Sequence, residues 1–153
     1  MKAILQRVKC ASVSVKQDDQ ELIVGEIGFG WLVLLGVAQS DQSEDALKLA
    51  NKCANLRGLP DHTQVDGKIS KSIVDLEGGM LIVSQFTLYA QTSKGRRPSF
   101  NQASKGVHAR SIYEEYCRQL KESGVKQVEQ GAFGEEMSIA SDCWGPITYT
   151  IEV

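Results

Sequence analysis

The sequence predicts an α/β protein: a single compact domain, residues 1–153, with a mixed, largely antiparallel sheet of about eight strands and two main helices. Three observations predict it. Two apolar stripes recur at helical spacing, one around residues 46–56 and one around 109–120. Period-two segments follow one another in runs instead of alternating with helices, which argues against a βαβ repeat. Two short stretches, Trp31 to Val37 and Met80 to Val83, are apolar on both faces, as central buried strands are.

The elements follow in order. Residues 2–8 and 11–16 read as two strands, with Ala11, Val13 and Val15 alternating against Ser12, Ser14 and Lys16. Asp18-Asp19 mark a turn, and Leu22 to Ile27 form a third strand that stops at Gly28-Phe29-Gly30. After the Trp31 strand, Asp41-Gln42-Ser43-Glu44 fits a capping box, with Asp41 accepting from first-turn amides and Glu44 reaching back. Ala46, Leu49, Ala50, Cys53 and Leu56 are the buried face of the helix it opens. Residues 58–68 read as loop, with an Asp66-Gly67 turn, and a strand is expected near 69–76.

The strand from Met80 to Tyr89 begins apolar and turns polar at Ser84-Gln85-Phe86-Thr87-Leu88, the pattern of a rigid strand emerging at a site. A polar, basic loop fills 91–104. A second helix spans about 105–123, buried through Ala109, Ile112, Tyr113, Tyr116, Cys117 and Leu120, with Gly124 as its stop. Short strands are expected at 125–128 and 137–140. The last strand alternates Ile147, Tyr149, Ile151 and Val153 with Thr148, Thr150 and Glu152.

Composition narrows the function classes. Hydrophobic residues are 42% and charged residues 24%, ordinary for a globular chain. No apolar run approaches the roughly 20 residues of a membrane helix, and the N-terminus lacks a signal-peptide core, so a cytoplasmic location without membrane partners is expected. The four cysteines at 10, 53, 117 and 143 lack CxxC spacing, and with only two histidines no zinc site is expected; free, mostly buried thiols are. Neither a phosphate-loop motif nor GxGxxG is present, so no cofactor is expected.

The net charge of −2 hides a segregation. From Gly78 to Tyr113 there is no Asp or Glu, while Lys94, Arg96, Arg97, Lys105 and Arg110 carry +5. Elsewhere 12 basic residues face 19 acidic ones, a balance of −7. Such a stretch is the footprint of a phosphate-bearing partner; a solvated charged loop is the plainer alternative. Conventional catalytic sets are missing. His62 and His108 have no evident nucleophile beside them, there is no G-x-S-x-G elbow, and the pairs Glu114-Glu115 and Glu135-Glu136 read as solvated.

Ser84-Gln85-Phe86-Thr87-Leu88 and Gly145-Pro146-Ile147-Thr148 resemble SQFTL and GPVT, the two signature motifs of the D-aminoacyl-tRNA deacylase family. Leu5-Gln6-Arg7-Val8, Gly25-Glu26-Ile27-Gly28 and Lys94-Gly95-Arg96-Arg97-Pro98-Ser99-Phe100 also match the family pattern, in order and nearly end to end. The resemblance implies a homodimeric hydrolase with its active site at the dimer interface, freeing tRNA from D-amino acids and also from glycine. It implies that Ser84, Gln85, Phe86 and Thr87 form the catalytic segment. The ribose 2′-hydroxyl assists the chemistry and backbone amides near Phe86 and Thr87 hold the oxyanion; Thr87 as nucleophile ranks lower. It also implies that Gly145 and Pro146 form a cis peptide entering the partner's pocket to reject L-substrates, supported by Arg7, Ile147 and Thr148. Lys94, Arg96 and Arg97 are expected at the acceptor-end phosphates. Cys143-Trp144 stands where the family usually has Asn-Asp, which leaves a relaxed chiral filter as one alternative and a non-catalytic RNA-binding module as another.

Overall fold

The structure, a computed structural model, describes residues 1–61, 68–93 and 95–153. The expected Asp66-Gly67 turn, His62 and Lys94 lie outside them.

The chain opens with β1 (Lys2–Gln17), one 16-residue strand where two were expected. Its first half pairs antiparallel with β3 (Gly30–Gly36), and its second half pairs antiparallel with β2 (Gln20–Ile27). Its other side carries β8 (Met137–Glu152), which is also one 16-residue strand instead of two segments and a loop. The break read near residue 9 is real at the level of side chains. Ala3 and Leu5 face one core, whereas Ala11 and Val13, of the same parity, face the other. Irregular pairing at Gln6/Val8 and Val8/Cys10 against β8 inserts the half-step that swaps the faces.

β6 (Gly79–Ser84) lies parallel to β3, and β7 (Gln127–Gln130) lies parallel to β6. The six-stranded sheet is therefore mixed, and the expected antiparallel character holds for β1 but not for β6. Only glycine permits the first step: a Cβ on Gly30 would stand 1.8 Å from the Gly79 carbonyl oxygen opposite it. A two-stranded sheet, β4 (Leu59–Pro60) with β5 (Ile69–Lys71), completes the eight described strands. The strand expected over 69–76 ends early because Ser72 and Asp75 bond each other's backbone amides at 3.1 and 2.9 Å, a local turn that competes with the ladder.

α1 (Ser43–Ala54) and α2 (Gly106–Glu122) pack together on one face of the sheet. Trp31, Val33 and Leu35 of β3, with Met80 and Ile82 of β6, meet Leu49, Cys53, Tyr113 and Tyr116 there. Leu32, Leu81 and Val83 point to the second core with Val13 and Ile27. Both strands are thus buried on two sides, as their continuous apolar sequences require. Burial pushes the Cys53 thiol up to about 11 and the Cys117 thiol to about 12, while Cys10 and Cys143 are exposed, so only half the thiols are interior.

The capping box is one residue later than expected. Gln42 is the N-cap and Asp45 returns the bond, accepting from the Gln42 amide at 2.9 Å. Asp41 is drawn elsewhere. It accepts from the Ala38 amide at 2.6 Å and from the Met1 ammonium at 2.9 Å.

Candidate active site

The polar end of β6 does not continue as a strand. Ser84 pairs with Leu35 at the last step of the ladder, and the Gln85 amide donates to the Leu35 carbonyl at 2.8 Å. The chain then winds into a single 3₁₀ turn, Phe86–Tyr89, instead of running extended to Tyr89. Its closing bonds start at Leu88 and Ala90, whose amides donate to Gln85 and Thr87. The Phe86 and Thr87 amides come before the first closing bond, so the turn itself offers them no acceptor. The Gln85 side chain donates to the Thr87 hydroxyl, tying the two polar side chains together.

Ser84, Gln85 and Phe86 line a cavity of about 290 Å³. Its other walls come from Leu35, the segment 103–106 opening α2, Tyr113 and Phe133. Tyr113 supports the floor, its hydroxyl donating to the Ile82 carbonyl at 2.8 Å. Phe86 is 55% exposed and rests edge-on against Phe100 at 5.0 Å, which joins the cavity to the basic loop. Arg110 stands on the Phe133 ring at 5.1 Å and donates to its carbonyl at 3.2 Å. Thr87 is exposed and lies just beyond the lining. Besides Tyr113, Lys105 is the one ionisable residue among the described lining residues.

A second cluster forms where β8 crosses β1. The Gly145-Pro146 peptide is cis, and Gly145 has φ +118°. Arg7, 7% exposed and in register with Trp31, donates through Nε to the Trp144 carbonyl at 2.9 Å. Its guanidinium lies 4.2 Å from the centre of the Trp144 ring. Desolvation holds Arg7 below its ordinary value, opposed by its interaction with Tyr149. A Cβ on Gly145 would stand 2.8 Å from Arg7 Nη2. Gln6 donates to the Ile147 carbonyl at 3.3 Å and accepts from the Thr148 hydroxyl, so all five motif-region positions expected from the sequence meet here.

The two clusters do not meet within one chain. Ser84 pairs at Leu35 and Arg7 pairs at Trp31, four positions apart on β3, roughly 13 Å along the strand. None of Arg7, Gly145 and Pro146 lines the cavity. Arg96 and Arg97 are exposed in a loop closed by paired bonds between Gln91 and Ser99 at 2.8 and 3.0 Å. Sequence reasoning missed one contact: the Ser104 hydroxyl lies 2.7 Å from His108 Nδ1 at the start of α2. The i, i+4 spacing at the foot of a helix was the available signal. Among the described residues, no carboxylate contacts that histidine and no group of three or more His, Cys, Asp or Glu is set to hold a metal ion. No described helix is long and apolar enough to cross a membrane.

The model of the family described as D-Tyr-tRNA(Tyr) deacylase matches residues 4–152. A D-aminoacyl-tRNA deacylase of Aquifex aeolicus is 45% identical, over 99% of this chain and 97% of its own length. One of Thermus aquaticus is 43% identical, over 99% and 95%. Among solved structures, a c-Myc DNA unwinding element binding protein superposes with a TM-score of 0.87 at 35% identity, covering 100% of this chain and 99% of its own. A structure described as a probable eukaryotic D-amino acid tRNA deacylase, 15% identical, shares the fold with a TM-score of 0.85 over 99% and 98%.

Proposed function

The chain belongs to the D-Tyr-tRNA(Tyr) deacylase family, and from that premise we propose that it hydrolyses the ester of D-aminoacyl-tRNA at the cavity beside Ser84–Thr87. The observation that carries the reading is a cavity lined by Ser84, Gln85 and Phe86 and almost free of acid–base side chains, at the start of a 3₁₀ turn whose Phe86 and Thr87 amides have no acceptor within the turn. An aminoacyl ester suits that inventory. It is already activated, and its neighbouring 2′-hydroxyl lies beside the reacting carbonyl.

In the reaction, water attacks the ester carbonyl, assisted by the 2′-hydroxyl. The carbonyl oxygen gathers negative charge, which the Phe86 and Thr87 amides receive. The carbon–oxygen bond to the ribose then breaks, and the ribose oxygen takes a proton. One such donor contributes on the order of 10²–10³ in rate. Gln85 and Thr87 fix one another, Ser84 anchors the end of the strand, and the exposed Phe86 ring offers a face to the terminal nucleoside. Thr87 as a nucleophile lacks a base, since its bonded partner is an amide.

Residues 1–153 act as a single deacylase domain, in the cytoplasm, as a homodimer. The separation of the two clusters supports a site completed across subunits, with Gly145 and Pro146 entering the partner's cavity. A main-chain filter there excludes an L side chain and leaves D-residues and glycine unopposed. Arg7, Ile147 and Thr148 support the filter. Lys94, Arg96 and Arg97 take acceptor-end phosphates through charge, without base readout, as an enzyme accepting many tRNAs requires.

The test is hydrolysis of D-tyrosyl-tRNA beside L-tyrosyl-tRNA. Loss of the D-ester alone is the expected result. Loss of both keeps the reaction and discards the filter; loss of neither, with tRNA still bound, leaves a binding module.

A further inference from the structure

We propose that Trp144 is a positioning residue for the Gly145-Pro146 motif, acting through Arg7, and that it sets how sharply this chain rejects L-aminoacyl esters. The proposal rests on the deacylase reading and concerns a residue that departs from the family's usual Asn-Asp.

Arg7 is held by Trp144 in two ways. The Trp144 carbonyl accepts from Nε at 2.9 Å, and the Trp144 ring lies 4.2 Å from the guanidinium carbon. The ring is braced in turn. Phe29 meets it edge-on at 5.9 Å and 70°, and the Phe29 carbonyl accepts from the Gly79 amide at 3.0 Å. The stack is therefore tied to the close approach of β3 and β6. On its other side the guanidinium walls Gly145, with Nη2 2.8 Å from the place of a Cβ.

No carboxylate forms an ion pair with Arg7 among the described residues. Its buried charge rests on a carbonyl and an aromatic face. A cation over a ring is stabilised most where water is partly excluded, as at this side chain. Without the ring, Arg7 keeps one bond and gains freedom to turn about it. The motif then loses the wall that fixes its entry, and the filter loosens. A filter depends on sub-ångström placement of backbone, so selectivity responds before turnover does.

The experiment compares kcat/KM for D-tyrosyl-tRNA and L-tyrosyl-tRNA in wild-type protein, Trp144→Phe and Trp144→Leu, at matched melting temperatures. Trp144→Leu keeps an apolar side chain without an aromatic face; Trp144→Phe keeps one. The expected D/L ratio falls about tenfold in the leucine variant, through faster loss of the L-ester, and stays within about twofold of wild type in the phenylalanine variant. In an Arg7→Gln background, Trp144→Leu adds less than about a twofold change, because its route runs through the guanidinium. Trp144→Met replaces the leucine variant if that chain does not fold.

A leucine variant with the wild-type ratio overturns the positioning role alone. So do equal losses in the leucine and phenylalanine variants, or an undiminished loss in the Arg7→Gln background. Wild-type protein that hydrolyses neither ester overturns the deacylase reading, and this inference with it.

Discussion

Replacing Gly145 with alanine puts a methyl group where the structure has no place for one. The new Cβ stands 2.8 Å from Arg7 Nη2, 3.0 Å from the Ile147 amide nitrogen and 3.2 Å from Ile147 Cγ1. Arg7 can move, but the Ile147 nitrogen is backbone. The φ of +118° adds a conformation that L-residues rarely adopt, at about 1–3 kcal/mol. If the motif keeps its shape, about 2 kcal/mol is lost from folding, and Tm falls by about 4–8 °C for a chain of this length. If the motif relaxes, stability recovers and the same energy reappears as lost placement, about 30-fold in kcat/KM for the D-ester at about 1.4 kcal/mol per tenfold. Thermal unfolding and D- and L-tyrosyl-tRNA hydrolysis on one preparation separate the two. A variant whose Tm stays within about 1 °C of wild type, with unchanged rates on both esters, would refute the close-approach reasoning.

Other outcomes are expected from the same geometry. At pH 8 a thiol reagent labels at most Cys10 and Cys143 in the native chain and all four thiols after unfolding. The folded state keeps Cys53 and Cys117 protonated up to about 11 and 12 against an ordinary value of 9.0, so the unfolded chain ionises first and stability falls as pH rises above about 9. A flat unfolding midpoint between pH 8.5 and 10.5 would contradict this. Paired Arg96→Glu and Arg97→Glu changes should raise KM for tRNA and flatten log–log salt dependence by about 1.5, two phosphate contacts' worth; an unchanged slope removes the loop from the interface. Tyr113→Phe should cost about 1 kcal/mol and 2–4 °C, no more, because the Ile82 carbonyl keeps the Gly131 amide at 2.8 Å.

Most of the elements were legible in local sequence pattern. Periodicity is local, so the stripes at Leu49–Cys53 and Ile112–Tyr116 and the two-sided burial of Trp31–Leu35 were legible residue by residue. The segments 84–88 and 145–148 were legible as motifs through their resemblance to the SQFTL and GPVT signatures of the deacylase family, not through any spacing rule. Tertiary structure decided the rest, for reasons of register and competition. That β6 can close on β3 at its first step depends on the Gly30–Gly79 approach, two residues 49 positions apart whose contact no window contains. The half-step in β1 that swaps its cores is a pairing property of β8, more than 130 residues away. Asp41 was read as a helix cap because the Met1 ammonium that claims it is local only in space. The turn at Phe86 that frees two amides looked like strand, since its apolar and aromatic residues favour either state until Leu35 takes the Gln85 amide. Above all, Arg7 and Trp144 are separated by 137 positions and meet at 2.9 Å, a contact set by sheet registration rather than by either residue's neighbours.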